Sequence, residues 1–219
     1  MKLIDTMRNL EKTSVKWNTY YMDYEKHLEK YVGNSPTVLE IGVADGGSLE
    51  LWSKYFINGE IHGLDIDSKI MDYKYRQPNI FCHLGDQSDP EYWKHFNKNT
   101  DVSFDIIIDD GSHINSDQIM TLVNLFPRLK DGGTYIVEDT HTSYWQTYGG
   151  GLKKPNTFIE TVKTLVDFLH RDHIDSQPNK ELVSIFGDLK SMVFYNSMVI
   201  LEKQKYVAMV PYGVRVNKG

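Results

Sequence analysis

The chain has 219 residues, 40% of them hydrophobic and 25% charged, with a formal net charge of −6. That length and balance fit one soluble globular domain over residues 1–219, and the negative charge argues against non-specific nucleic-acid binding, which requires a basic face. No apolar run approaches the roughly 20 residues that span a bilayer, and Met1 to Arg8 lack the apolar stretch of a signal peptide, so no membrane insertion and a cytoplasmic location are expected.

Residues 5 to 31 carry Leu10, Trp17, Tyr20, Tyr21, Tyr24, Leu28 and Tyr31 and read as helical, within an amino-terminal segment of residues 1–34 that Asn34-Ser35-Pro36 closes. A core over residues 35–205 follows. Its first strand is Thr37 to Gly42, then a turn from Val43 to Gly47 and a helix opened by Ser48 and running to Phe56. The second strand is Ile61 to Asp65 and the third Ile80 to Leu84. The third holds the only cysteine, Cys82, read as a structural thiol in a reducing compartment. Asp89-Pro90 starts a helix, because proline and an acidic residue both suit a first turn.

Phe104 to Ile108 is an apolar, β-branched run suited to a strand buried on both faces. The next helix carries Ile119, Leu122, Val123 and Phe126 on one face, Gly132-Gly133 ends that unit, and Thr134 to Val137 is the fifth strand. Residues 143 to 156 are aromatic and glycine-rich and read as a loop or lid, followed by a helix from Pro155 to His170. Ser191 to Tyr195 and Met198 to Leu201, joined at Asn196-Ser197, predict an antiparallel hairpin. The fold class is therefore α/β: a doubly wound, Rossmann-like, mostly parallel seven-stranded sheet with an antiparallel edge hairpin.

In such sheets ligands bind beyond the carboxyl ends of the strands. There the fourth strand breaks into Asp109-Asp110-Gly111-Ser112-His113, and the fifth into Glu138-Asp139-Thr140-His141. Three earlier strand ends suggest a nucleoside-bearing cofactor. Glu40, Gly42, Ala44, Gly46, Gly47 and Ser48 mark a turn that lets a ligand approach the backbone. Asp65 is spaced to accept hydrogen bonds from ribose hydroxyls, and Asp86 and Gln87 to face an adenine edge. A dinucleotide needs Gly-x-Gly-x-x-Gly against a helix amino terminus. Here Ala44 replaces the middle glycine and Asp45 would repel a pyrophosphate but not a sulfonium, so S-adenosylmethionine fits better than a nicotinamide dinucleotide. Glu40 could help to hold its methionine end.

Val38-Leu-Glu-Ile-Gly-Val43, Ser48-Leu-x-x-Trp52, Ile61-His-Gly-Leu-Asp-Ile66, Gly85-Asp-Gln-Ser-Asp89, Ile108-Asp-Asp-Gly-Ser-His113 and Glu138-Asp-Thr140 together resemble class I methyltransferases of the macrolide-sugar type, the mycinamicin and macrocin O-methyltransferase group. The resemblance runs from about Thr13 to Lys203. It implies S-adenosylmethionine-dependent, Mg²⁺-assisted O-methylation of a sugar hydroxyl on a small molecule, sugar nucleotide or glycan precursor. By motif position Asp110 and Asp139 would hold the metal, with Glu138 or Asp109 as a third ligand and His113 as general base; Asp109 is otherwise assigned to the cofactor. In that family a Lys-plus-Tyr segment closes over the site, which makes Lys16, Tyr20 and Tyr21 pocket candidates.

The chemistry suits these residue types. A sugar hydroxyl is a poor nucleophile, a hard cation on oxygen ligands lowers its pKa, and an imidazole near Asp110 takes the proton. His141, Tyr144 and Trp145 follow the second acidic pair and can line an acceptor site. The bland readings are an Asp109-Asp110 helix cap, a tyrosine-rich core helix, and structural or exposed His62, His83 and His95. Competing functions are methylation of a phenol or catechol, a non-catalytic S-adenosylmethionine-binding protein and a nicotinamide-dependent dehydrogenase. A homo-oligomer is compatible with the sequence.

Overall fold

The structure, a computed structural model, describes residues 2–175 and 179–209. Seven strands form one sheet in the order β3-β2-β1-β4-β5-β7-β6. They are β1 (Thr37–Ile41), β2 (Glu60–Asp65), β3 (Ile80–Leu84), β4 (Phe104–Asp109), β5 (Leu129–Val137), β6 (Leu189–Tyr195) and β7 (Met198–Lys203). β1 to β5 pair in parallel, while β7 runs antiparallel to both β5 and β6. The expected sheet and edge hairpin are both present. The chain winds outward from β1 to β3 and then returns to place β4 on the other side of β1, so the switch of direction, where such sheets bind ligands, lies between β1 and β4.

Helices cover both faces: α1 (Leu3–Met7), α2 (Tyr20–Leu28), α3 (Gly47–Tyr55), α4 (Pro90–Asn99), α5 (Asn115–Leu125), α6 (Phe158–Leu169) and α7 (Lys180–Phe186). Strand alternation sorts the core in two. Leu39, Ile41, Ile107, Tyr135, Val137 and Val199 face α4 to α7. Val38, Ile106, Ile108, Ile136 and Ile200 face the amino-terminal helices and α3.

Three expectations change. The helix read over residues 5 to 31 is broken: residues 8–19 are a strap with no regular helix between α1 and α2. Tertiary hydrogen bonds take this backbone, because the buried Glu50 carboxylate accepts the amides of Glu11 (3.0 Å) and Lys12 (2.9 Å). β5 begins at Leu129, before the Gly132-Gly133 pair, with an irregularity in its register against β4. The short α7 was not anticipated; the Asn179 side chain caps it by accepting the amide of Glu181 at 2.8 Å. Residues 143 to 156, read as a loop or lid, are without α-helix or strand; they follow from the 3₁₀ turn Thr140–Tyr144 and include the 3₁₀ turn Gln146–Tyr148.

Candidate active site

A cleft of about 610 Å³ opens at the carboxyl ends of β1, β2 and β4, a volume typical of a small-molecule site. Gly42, Ala44, Ser48, Asp65, Asp86 and Gln87 line it, and Thr13 to Lys16 of the strap form part of its wall. Two glycines are needed for its shape. Gly42 has φ +87°, and a Cβ there would lie 2.1 Å from the Asp110 carbonyl, so the ends of β1 and β4 meet only because no side chain intervenes. A Cβ on Gly47 would lie 2.1 Å from the Thr13 carbonyl, which accepts the Gly47 amide at 3.1 Å. The strap thus occupies an amide at the start of α3 that a pyrophosphate would require.

Asp65 is a half-exposed wall of the cleft. Its Oδ2 accepts the amides of Val43 (2.7 Å) and Ala44 (3.1 Å), and Oδ1 accepts that of Asp67 (2.8 Å). It therefore shapes the glycine turn as well as facing the cleft. Asp86 closes a turn through the amide and hydroxyl of Ser88. Gln87 is buried and ties two loops together: its Oε1 accepts the Ser112 amide at 2.7 Å, while its Nε2 donates to Thr121 at 3.0 Å and Asp109 at 3.3 Å.

Strand alternation separates the acidic residues. Asp109 points with Ile107 toward α5, away from the cleft; it is fully buried, its Oδ2 has no hydrogen-bond partner among the described residues, and burial pushes its carboxyl up to about 7. Expected at the cofactor or the metal, it instead supports the loop from beneath. Glu40 and Glu138 point to the opposite face, where the Lys16 ammonium meets Glu40 (3.4 Å), Asp110 (2.9 Å) and Glu138 (2.5 Å). Glu40 also accepts from the Trp52 indole at 3.2 Å, and Glu138 accepts from the Tyr24 phenol. Glu40 therefore lies behind Lys16 rather than in the cleft wall expected of it.

Burial pushes Glu40 up to about 7; Lys16 opposes that rise and Asp110 adds to it. Burial and then the Asp110 charge push Glu138 up to about 8. Burial works against the Lys16 charge, but Asp110 and Glu138 outweigh it and hold the ammonium well above its ordinary value. Lys16 thus stays charged among carboxylates that compete for it.

A second group faces the cleft. His113 Nε2 lies 4.0 Å from Asp110 Oδ1 and 3.7 Å from Asp139 Oδ2, and one ligand atom from each of the three residues falls within 4.8 Å of the others. All three line the cleft. Ala44, His113 and Asp139 have φ +46°, +58° and +53°, left-handed conformations uncommon for non-glycine residues and often concentrated at functional sites. Asp139 is fixed by the Tyr20 phenol (2.8 Å) and the Trp17 indole (2.9 Å), both donating to Oδ1. Its own amide donates to Tyr20 at 3.1 Å.

Oxygen donors predominate around Asp110, and a lysine ammonium already sits among three of them, so the donor set suits a hard cation. Asp110 belongs to both groups. Glu138 offers an oxygen that Lys16 and Tyr24 already hold.

The remaining candidates lie apart from the cleft wall. Tyr21 is buried with its hydroxyl unpartnered among the described residues. His141 contacts the Ser197 hydroxyl and lies 3.9 Å from Asp139 Oδ1; its ring is 4.5 Å from that of Trp145 and 6.3 Å from that of Trp17. Tyr144 and Trp145 are half exposed, and Trp145 and Trp17 leave aromatic faces on either side of His141, near Asp139. Sequence reasoning missed Trp17, Tyr24 and Trp52 as site residues. Tyr24 was legible as the residue one helical turn from Tyr20; Trp17 carried no local signal, since it acts from the strap.

The strand order, the cleft at the β1–β4 switch and the acidic strand ends define a class I, Rossmann-like methyltransferase fold. No protein-family model matches the chain. It is 35% identical over 201 residues to the 8-demethyl-8-alpha-L-rhamnosyl tetracenomycin-C 2'-O-methyltransferase of Streptomyces olivaceus, covering 87% of this chain and 52% of that protein. To the mycinamicin VI 2''-O-methyltransferase of Micromonospora griseorubida it is 33% identical over 190 residues, 82% of this chain and 47% of that one. The MycE methyltransferase from the mycinamycin biosynthetic pathway, solved in complex with Mg and SAH, matches with a TM-score of 0.82 at 29% identity over 94% of this chain and 55% of that one. The chain is homologous to the macrolide-sugar O-methyltransferases, and it spans about half the length of the curated relatives it matches.

Proposed function

We propose that this chain catalyses S-adenosylmethionine-dependent O-methylation of a sugar hydroxyl carried by a small molecule, with Mg²⁺ at the site. The observation that carries this reading is the meeting of Asp110, His113 and Asp139 at the mouth of the cleft, in a chain with the homologues described above. S-adenosylmethionine would be the methyl donor, with Asp65, Asp86 and the Gly42–Gly47 turn of the cleft available to hold its adenosine. The Thr13 carbonyl on the Gly47 amide and the Asp45 charge both disfavour a dinucleotide pyrophosphate at this turn.

The residues divide the chemistry as follows. Asp110 and Asp139 would hold the cation, with Glu138 as the candidate third ligand. When bound, a divalent cation lowers the pKa of a coordinated hydroxyl. His113 takes the acceptor's proton as the oxygen forms a bond to the methyl carbon and the carbon–sulfur bond breaks, its electron pair staying on sulfur. Alignment of the two reactants is the protein's main contribution. The acceptor lies on the side of Asp139 where Trp17 and Trp145 leave aromatic faces exposed, surfaces on which a sugar ring packs.

The test is transfer of a labelled methyl group to panels of deoxysugar-bearing and phenolic acceptors, with Mg²⁺ and with chelator. Sugar methylation that vanishes with chelator and returns with Mg²⁺ is expected. Cofactor binding should survive chelation and be lost in Asp65→Ala. Methylation of phenols alone changes the acceptor class. Tight cofactor binding without transfer to any acceptor makes the protein a binding module, and full activity in chelator returns both aspartates to structural duty.

A further inference from the structure

Lys16 occupies carboxylate oxygens that the proposed reaction also needs. Its side chain is only 2% exposed, and its ammonium contacts Glu40, Asp110 and Glu138 together. Asp110 is shared with the Asp110–His113–Asp139 group. The next anchor of the same segment lands on the other candidate ligand, because Trp17 donates to Asp139 Oδ1 at 2.9 Å. Two adjacent strap residues thus hold the two aspartates to which a divalent cation would bind. Other attachments of the strap, among them those to Glu50 and Gly47 on α3 and the Glu11–Arg76 ion pair, involve no candidate metal ligand.

Like charges at short range repel, and a hard divalent cation takes six or more oxygen ligands. An ammonium and a divalent cation therefore do not share Asp110 and Glu138 without loss. We propose that Lys16 and the divalent cation are alternative occupants of Asp110 and Glu138, so that cation binding frees the Lys16 ammonium and loosens residues 14–16 between the Thr13–Gly47 and Trp17–Asp139 anchors, and cation loss lets them tighten again. This rests on the metal reading above. Lys16 is then a built-in counter-ion: without a metal, it keeps the buried Glu40 and Glu138 and the half-buried Asp110 from facing one another uncompensated, a costly arrangement. Release loosens Ser14 to Lys16, which form part of one wall of the cleft. Because linkage is reciprocal, whatever holds the strap closed must weaken cation binding by the same factor.

The experiment uses Mn²⁺ as a paramagnetic stand-in for Mg²⁺, on the full chain without cofactor. Hydrogen exchange is followed at the strap and at α5, and Mn²⁺ affinity is measured by electron paramagnetic resonance in the wild type and Lys16→Gln. The expected result is faster exchange of the strap on adding Mn²⁺, with α5 unchanged, and Mn²⁺ binding to Lys16→Gln that is tighter by about 5–150-fold, the usual range of such coupling. Strap exchange that slows or stays constant in Mn²⁺-bound wild type overturns the proposal, as does a folded Lys16→Gln that binds Mn²⁺ no more tightly. If Lys16→Gln does not fold, the wild-type exchange result decides alone. Binding without strap release removes only this proposal, whereas Mn²⁺ binding to neither protein removes the metal reading with it.

Discussion

Replacing His113 by asparagine separates chemistry from architecture at this site. The imidazole makes no hydrogen bond that would hold the loop. Its Nε2 lies 4.0 and 3.7 Å from the two aspartates, and its Nδ1 has no partner among the described residues. The loop is held instead by backbone contacts, since the His113 carbonyl accepts the Thr142 hydroxyl at 2.8 Å and the Ser112 amide donates to Gln87 at 2.7 Å. The backbone at residue 113 is left-handed, with φ +58°, a conformation that asparagine adopts more readily than alanine. His113→Asn should therefore change stability by no more than about 0.5 kcal/mol, or roughly 1–2 °C in Tm for a chain of this size. His113→Ala should lose a further ~1–2 kcal/mol to backbone strain.

Turnover has a different expectation. Loss of a general base costs about 10²–10⁴-fold, equivalent to roughly 2.7–5.5 kcal/mol of barrier. The assay pairs initial rates of methyl transfer with thermal unfolding and cofactor calorimetry on the same preparation of His113→Asn. A stable, cofactor-binding, inactive variant is the expected outcome. Full turnover would refute the base assignment, and a parallel fall in Tm and cofactor affinity would make the imidazole structural.

Two further outcomes follow from the geometry. Gly42→Ala places a Cβ 2.1 Å from the Asp110 carbonyl at φ +87°, so it should destabilise the chain by at least about 2 kcal/mol and weaken cofactor binding; chemical denaturation and calorimetry measure both. Burial lowers the pKa of His27, which contacts the Tyr195 hydroxyl at 2.9 Å, although Glu202 opposes the shift. The neutral ring is then favoured on folding, so its contribution is present above the unfolded value of about 6.5 and is lost as pH falls below it toward the folded value. Urea midpoints near about pH 7.5 and about pH 5.5 should fall further on acidification in the wild type than in His27→Gln; equal falls would reject this account.

Much of the sheet was legible because its signals are local. Ile106, Ile107 and Ile108 are fully buried, and a short β-branched run ending abruptly in Asp109-Asp110 can be recognised without knowing its neighbours. The strap was illegible for the converse reason. Its apolar and aromatic residues allow a helix, but Glu50, thirty-nine residues further on, accepts the Glu11 amide and holds the segment open. Lys16 read only as one cation near tyrosines, since its three carboxylate partners lie on β1, just after β4 and just after β5.

By itself the sequence determined the alternating strands and helices, the strand-end position of the acidic motifs and the turn that admits a ligand, because each depends on periodicity and on backbone preferences acting over a few residues. Only the tertiary structure decided which carboxylates share an environment. Alternation along β4 turns Asp109 toward α5, while Glu40 and Glu138 meet on the opposite face although 98 residues separate them in number. Charges interact through distance and dielectric rather than sequence separation. Their grouping, and the placing of Lys16 among them, therefore exist only once β1, β4 and β5 lie side by side.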